Sequence, residues 1–240
     1  MQVLVLAGGL GSRMYPRTQT IPKALLPVAG RPFVEHQVRL LAANGVRDVV
    51  FSIAHLGGMI RDVLGDGRRL GVEVRYVDEG FDRRGTGGAV RLFAGCDLAD
   101  DEFAVLYGDS YLPIRYAEVW AAFAACGAPA LMTVYENRDR WDLSNAGFRP
   151  DGRVEYRKRA GADSGLRYID YGLSVVSRQL VLDHIPGNDV SDLADFFTSL
   201  GAQGELAGFE VHERFYEVGS PEGVDDLEQL LRPRTGAVRR

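Results

Sequence analysis

Gln2-Val3-Leu4-Val5-Leu6-Ala7-Gly8-Gly9-Leu10-Gly11-Ser12-Arg13, with Lys23 a short loop later, is the stretch on which the reading of this chain turns. Four of the five residues from Gln2 to Leu6 are aliphatic, which predicts a buried strand. That strand runs into Gly8, Gly9 and Gly11 and then Arg13. Glycines at such a point let the backbone turn sharply and bring its N–H groups close to a ligand without a Cβ in the way. Arg13 and Lys23 add two fixed positive charges, which suits a polyphosphate. The plainer alternative is a glycine-rich turn carrying solvated basic residues.

Outward from this loop, strands and helices alternate for about 135 residues. Apolar residues recur at helical spacing behind Pro32, from Phe33 to Leu41, and Asn44-Gly45 ends that helix. Asp48 to Ala54 is a buried strand, Gly57 to Leu64 a short helix, and Val72 to Val77 an alternating strand. A helix from Thr86 to Ala94 follows a glycine cluster, with Thr86 placed to act as its N-cap. Phe103 to Tyr107 is a strand, Tyr116 to Ala125 a helix, and Ala130 to Tyr135 another strand. The alternation implies an α/β fold, three layers deep, with a mostly parallel mixed central sheet.

From Asn137 the rhythm changes. Asp151-Gly152 is a hairpin turn between Ala146-Gly147-Phe148 and Arg153-Val154-Glu155-Tyr156. Tyr168 to Ser177 reads as a strand, Gln179 to His184 and Asp192 to Gln203 as helices, the second capped by Ser191. Leu206 to His212 and Phe215 to Val218 are short strands, and Glu222 to Leu231 is a closing helix. The chain therefore reads as one domain over 1–240, with a nucleotide-binding half at 1–135, a more antiparallel portion at 136–231 and a frayed tail at 232–240.

The 240 residues can bury a sizeable core, and a formal net charge of −5 argues against a nucleic-acid partner. Cys96 and Cys126 read as reduced core thiols, with a single disulfide left open. No apolar run reaches membrane-spanning length and no signal-peptide pattern appears, so a soluble cytoplasmic protein is expected, with no membrane partner. A homo-oligomer is left open. The four histidines form no H-x-x-H pattern or Cys/His cluster, which disfavours zinc.

Two common owners of a glycine-rich opening loop do not fit. A P-loop ends in Gly-Lys-Ser/Thr, and Gly11-Ser12-Arg13 does not. A dinucleotide fold needs an acidic residue closing its second strand, and that strand ends Ser52-Ile53-Ala54 before His55. Leu6-Ala7-Gly8-Gly9-Leu10-Gly11-Ser12-Arg13 with Pro16 and Pro22-Lys23 instead resembles the signature loop of the sugar-1-phosphate nucleotidylyltransferases. Ser12 stands where that family usually has Thr, and Ala24 where it often has a second Pro. Gly85-Thr86-Gly87-Gly88-Ala89 resembles the family's base-recognition turn, and Tyr107-Gly108-Asp109-Ser110 its metal-binding strand end. Asp151-Gly152-Arg153 with Lys158, and Phe215-Tyr216-Glu217-Val218-Gly219-Ser220-Pro221-Glu222, resemble its sugar-phosphate and closing metal segments. The ordered set spans Val3 to about Leu231.

The resemblance implies nucleotidyl transfer from an NTP to a sugar 1-phosphate, giving NDP-sugar and pyrophosphate. Arg13, Lys23 and Lys158 would be the catalytic cations. Leu6, Ala7, Gly8, Gly9, Gly11, Ser12, Gly85, Thr86 and Gly87 would bind nucleotide. Gly108, Asn145, Gly147, Asp170 and Gly172 would face the sugar. Mg²⁺ would sit on Asp109 and Glu217, although the family usually has Asp at the second position. A surface pair of Glu217 with Arg214, a solvated basic strand through Arg157-Lys158-Arg159, and Asp109 as a simple cap are the plainer alternatives. The glycine turns look most like short guanylyltransferases acting on mannose- or heptose-type 1-phosphates, favouring GTP. Cytidylyl, uridylyl and thymidylyl transfer stay open, as does a non-catalytic nucleotide-sugar-binding regulatory subunit.

Overall fold

The aliphatic run after Gln2 lies in the middle of the sheet. The computed structural model describes residues 1–80, 84–158, 164–187 and 190–232. In it β1 (Gln2–Leu6) is followed by a small hairpin of β2 (Pro27–Val28) and β3 (Arg31–Pro32), then α1 (Phe33–Ala43), β4 (Asp48–Ile53), α2 (Gly57–Leu64) and β5 (Glu73–Asp78). Next come α3 (Gly85–Ala94), β6 (Glu102–Tyr107), β7 (Ser110–Tyr111), α4 (Tyr116–Cys126) and β8 (Ala130–Glu136). The second half holds β9 (Ala146–Phe148), β10 (Val154–Tyr156), β11 (Tyr168–Ser177), α5 (Arg178–His184) and α6 (Leu193–Gln203). It closes with β12 (Leu206–Val211), β13 (Tyr216–Glu217) and α7 (Pro221–Leu231).

β1 pairs in parallel with β4 on one side and β6 on the other, and β4 pairs in parallel with β5. β11 then runs antiparallel to β6, β8 and β9, and β12 pairs in parallel with β8. The sheet is mixed, as the change of rhythm at Asn137 predicts. Its two faces are covered separately because successive side chains on a strand point opposite ways. Val3 and Val5 pack with Val34, Val38 and Leu41 of α1, Ile60 of α2 and Phe123 of α4. Leu4 packs on the other face with Val90 and Phe93 of α3 and Phe197 and Leu200 of α6. A third cluster joins Met14 behind the opening loop to Phe33, Val218 and Leu227 of α7. It fixes the two ends of the chain against each other.

Several expectations are corrected. Asp192, not Ser191, caps α6, its side chain accepting from the Ala194 N–H. Thr86 lies inside the first turn of α3 rather than capping it. β10 stops at Tyr156, so Lys158 stands in a turn and not on an alternating strand; Arg159 lies outside the described residues, as does 233–240. Only Tyr216 and Glu217 of the last expected strand pair, with β7. Both cysteines are free, and Cys126 is exposed where α4 ends, not in the core.

The turn after β6 presses directly on the end of β1. The Gly108 N–H donates to the Leu6 carbonyl at 3.0 Å, and a Cβ on Gly108 would overlap that oxygen and stand 3.0 Å from the Ala7 Cα. Backbone atoms cannot swing aside as side chains do. Gly108→Ala is therefore expected to cost about 1–3 kcal/mol by overpacking, read as a lowered Tm in thermal unfolding. An unchanged Tm would show that the two strand ends part freely.

Candidate active site

Because β1, β4, β5 and β6 are parallel, their carboxyl ends share one edge of the sheet, where open α/β folds bind ligands. The loops leaving that edge enclose a cleft of about 1010 Å³. Leu6, Ala7, Gly8, Gly9, Lys23, Gly85, Thr86, Gly108 and Asp109 line it, together with His55, Glu79, Arg84 and Tyr107. Nine of the residues singled out in sequence thus meet in one place.

The rest of the opening loop is held by its own contacts. Gly11 adopts φ 63, and the Thr18 hydroxyl donates to its carbonyl at 2.8 Å. Ser12 and Arg13 then form an exposed helical turn whose third residue, Met14, is buried. Lys23 opens a second such turn, and its Nζ donates to Asp109 Oδ2 at 2.5 Å. Arg13 is exposed, and its guanidinium approaches Glu217: the two groups lie equally far, 3.9 Å, from where a Cβ on Gly219 would stand.

Two carboxylates face this pair of cations. Asp109 sits in the turn between β6 and β7. β7 pairs antiparallel with β13, setting Ser110 opposite Glu217, and the Val218 N–H donates to the Asp109 carbonyl at 2.9 Å. Although Glu217 as a whole is exposed, the protein packed around its carboxyl group, and next the negative charge of Asp109, push it up to about 7, while Lys23 and Arg13 pull the other way. A carboxylate whose proton affinity is raised beside a second carboxylate is poised to share a cation with it. Among the described residues no group of three or more His, Cys, Asp or Glu could form a full protein cage. Mg²⁺ keeps water and substrate phosphates as ligands and is commonly held by one or two carboxylates, so this donor set fits it. Arg214 is not the partner of Glu217: it bonds Asp226 and lies between the rings of Trp141 and Tyr216.

The second half meets the first through Asp192. Its Oδ2 accepts from Lys158, and its Oδ1 accepts from the Thr86 hydroxyl at 3.2 Å and the Ala194 N–H at 2.9 Å. Thr86 in turn accepts from the Leu193 N–H, so its hydroxyl is spent on α6. The glycines around it serve the same docking. A Cβ on Gly85 or Gly87 would collide with Ser191, whose carbonyl accepts from the Gly87 and Gly88 N–H groups. Asn145 Oδ1 accepts from the Asp170 N–H at 2.8 Å, joining the start of β9 to β11. Burial lifts Asp170 to about 6, opposed by hydrogen bonds from the Gly172 N–H and from Tyr107. Gly172, at φ 103, packs against Ser110 and Tyr107, while Gly147 pairs with Glu155 inside the β9–β10 hairpin.

Glu79 is the cleft residue missed in sequence. No acidic group closes β4; Glu79 lies just past the end of the neighbouring β5. Ser52 at the end of β4 donates to its Oε1 at 2.8 Å, and a Cβ on Gly8 would overlap that same oxygen. Burial raises its pKa, with the Ser52 bond opposing. The acidic pair Asp78-Glu79 closing a strand was the available signal.

Residues 2–144 match the nucleotidyl transferase family. The chain is 29% identical to the mannose-1-phosphate guanylyltransferase of Mycobacterium tuberculosis, over 97% of this chain and 66% of that protein. It is 28% identical to the N-acetylmuramate alpha-1-phosphate uridylyltransferase of Neisseria meningitidis, over 92% of this chain and 94% of that one. The chain thus spans just under two thirds of the guanylyltransferase and nearly all of the uridylyltransferase. The crystal structure of HddC from Yersinia pseudotuberculosis complexed with GMP-PN shares the fold, with a TM-score of 0.79 at 22% identity, covering 95% of this chain and 98% of that one. With the match covering more than half of its length, the chain belongs to the nucleotidyl transferase family.

Proposed function

We propose that this chain transfers a nucleotidyl group from an NTP to a sugar 1-phosphate, with guanine and a mannose- or heptose-type sugar preferred. The observation that carries the reaction is the Lys23–Asp109 pair on the wall of the cleft, with Glu217 and Arg13 grouped beside it. Two cations and two carboxylates there match a triphosphate brought in with a divalent ion. A sugar phosphate is already an oxyanion near neutral pH, so it needs positioning and charge shielding more than a general base. Its oxygen attacks the α-phosphorus as the bond to the β-phosphate oxygen breaks, and pyrophosphate carries the electron pair away. Arg13 holds the triphosphate and stabilises that leaving charge. Lys23 lies between the reacting phosphates, and Lys158 holds the nucleophilic one. Asp109 and Glu217 would hold Mg²⁺, which when bound neutralises charge on the α-phosphate. An NTP substrate fits the cytoplasmic location read from the sequence.

Glu79 supports guanine. Guanine alone among the common bases presents adjacent N1–H and N2–H₂ donors, and a carboxylate offers two acceptors to match them. Uracil and thymine place carbonyl oxygens on both sides of their single N3–H, which would face the carboxylate unfavourably. Mannose fits the relative from Mycobacterium tuberculosis, whose name states that sugar.

Pyrophosphate release with Mg²⁺, each NTP and a panel of sugar 1-phosphates tests this directly. GTP with a mannose- or heptose-type phosphate should give the highest kcat/KM; silence across the panel with NTP binding intact would favour a non-catalytic binding protein. Glu79→Gln, whose amide offers one donor and one acceptor, should lower kcat/KM for GTP at least about tenfold and raise the UTP:GTP ratio. An unchanged ratio would remove Glu79 from base reading. Glu217 yields a stability test in metal-free buffer. Its folded pKa of about 7 exceeds its ordinary 4.5, so it favours folding at low pH and loses that contribution as pH rises from about 4.5 to about 7. Glu217→Gln should therefore raise Tm at pH 8 and give little gain at pH 5. Equal shifts at both would place the effect elsewhere.

A further inference from the structure

α1 carries a glutamine at a position where a core helix wants an apolar residue. Gln37 is 1% exposed and lies in the buried stripe with Val34, Val38 and Leu41. Its Nε2 donates to two carbonyls 70 and more residues away, Tyr107 O at 3.0 Å and Ser110 O at 2.8 Å. These are the residues on either side of the Gly108-Asp109 turn. Its Oε1, also buried, has no hydrogen-bond partner among the described residues. An unpartnered buried oxygen costs stability, and an aliphatic side chain of similar volume would avoid that cost. The residue therefore suits the turn rather than the core.

The turn depends on that amide. The Asp109 carbonyl is taken by the Val218 N–H, the Gly108 N–H donates to Leu6, and Gln37 supplies donors to the carbonyls of Tyr107 and Ser110 that flank the pair. Ser110 also pairs with Glu217 through the β7–β13 ladder. The turn that carries Asp109, and to which β13 brings Glu217, is thus braced from below by one side chain on α1. We propose that Gln37 is the positioning residue of the Asp109–Glu217 pair, setting the separation at which the two carboxylates accept a divalent cation. This rests on the assignment of those carboxylates to the metal made above.

Mn²⁺ alone, titrated into the full chain and followed by loss of the free-ion electron paramagnetic resonance signal, reads the pair without turnover. Gln37→Met fills the same space and removes both donors. It should raise the Mn²⁺ Kd at least about tenfold and lower kcat by a similar factor, with KM for the sugar phosphate within about twofold. Val38→Ala, one residue along and fully buried, opens a cavity in the same helix face and controls for stability. It should lower Tm while leaving the Mn²⁺ Kd within about twofold. If Gln37→Met does not fold, Gln37→Asn keeps the amide one methylene short of both carbonyls and carries the same expectation. An unchanged Mn²⁺ Kd in the Gln37 variant, or an equal change in Val38→Ala, would overturn the role of Gln37. Asp109→Asn binding Mn²⁺ as the wild type does would instead overturn the carboxylate assignment, whatever the Gln37 variant shows.

Discussion

The parallel pairing of β1 with both β4 and β6 is the constraint on which the site depends. A strand hydrogen-bonded on both edges and covered on both faces cannot shift, so the atoms at its carboxyl end are fixed in space. Leu6 uses that fixity twice. Its carbonyl accepts from Gly108 across the ladder, and its side chain packs beneath the cleft that its own loop helps to enclose. The turns after β1 and β6 are thereby locked at contact distance, and Asp109 emerges one residue beyond the lock. Chemistry placed there inherits the precision of the sheet rather than the mobility of a loop.

Electrostatics supply the second constraint. Desolvation of its carboxyl group, and next repulsion by the charge of Asp109, hold Glu217 at a pKa near 7. Lys23 on Asp109 offsets part of that repulsion, and Arg13 acts on Glu217 in the same sense. The charges of the cleft are mutually arranged before any substrate enters, which is the condition for electrostatic catalysis with little reorganisation.

Much of this was legible in the sequence, and the reason is local. Buried strands announce themselves as aliphatic runs, helices as 3.6-residue periodicity, and turns as Gly and Asn-Gly. The boundaries of α2 and β11 follow from such signals alone. Nine cleft residues were legible because glycine turns and lone charges stand out at strand ends. What was not legible is what depends on pairs far apart in the chain. Glu79 is assigned to the cleft by Ser52 on the neighbouring strand, and Gln37 by carbonyls 70 residues away. Asp192 displaced Ser191 as the α6 cap because its carboxylate also answers Thr86 and Lys158. Periodicity carries no information about such partners.

Asp192 also explains why the two halves act as one site despite their different sheet topologies. A cap on α6 needs only the bond from Ala194 to Oδ1. Here the same oxygen accepts from Thr86 of the glycine turn, while the other accepts from Lys158 beyond the β9–β10 hairpin. Ser191 strengthens the junction by accepting the N–H groups of Gly87 and Gly88, and a Cβ on Gly85 or Gly87 would force the segments apart. The glycines of that turn are therefore a requirement of packing between the halves as much as of ligand access. One carboxylate therefore bonds both the turn, through Thr86, and the segment after β10, through Lys158. The glycine turn, α6 and the segment after β10 are thus joined through the side chain of Asp192.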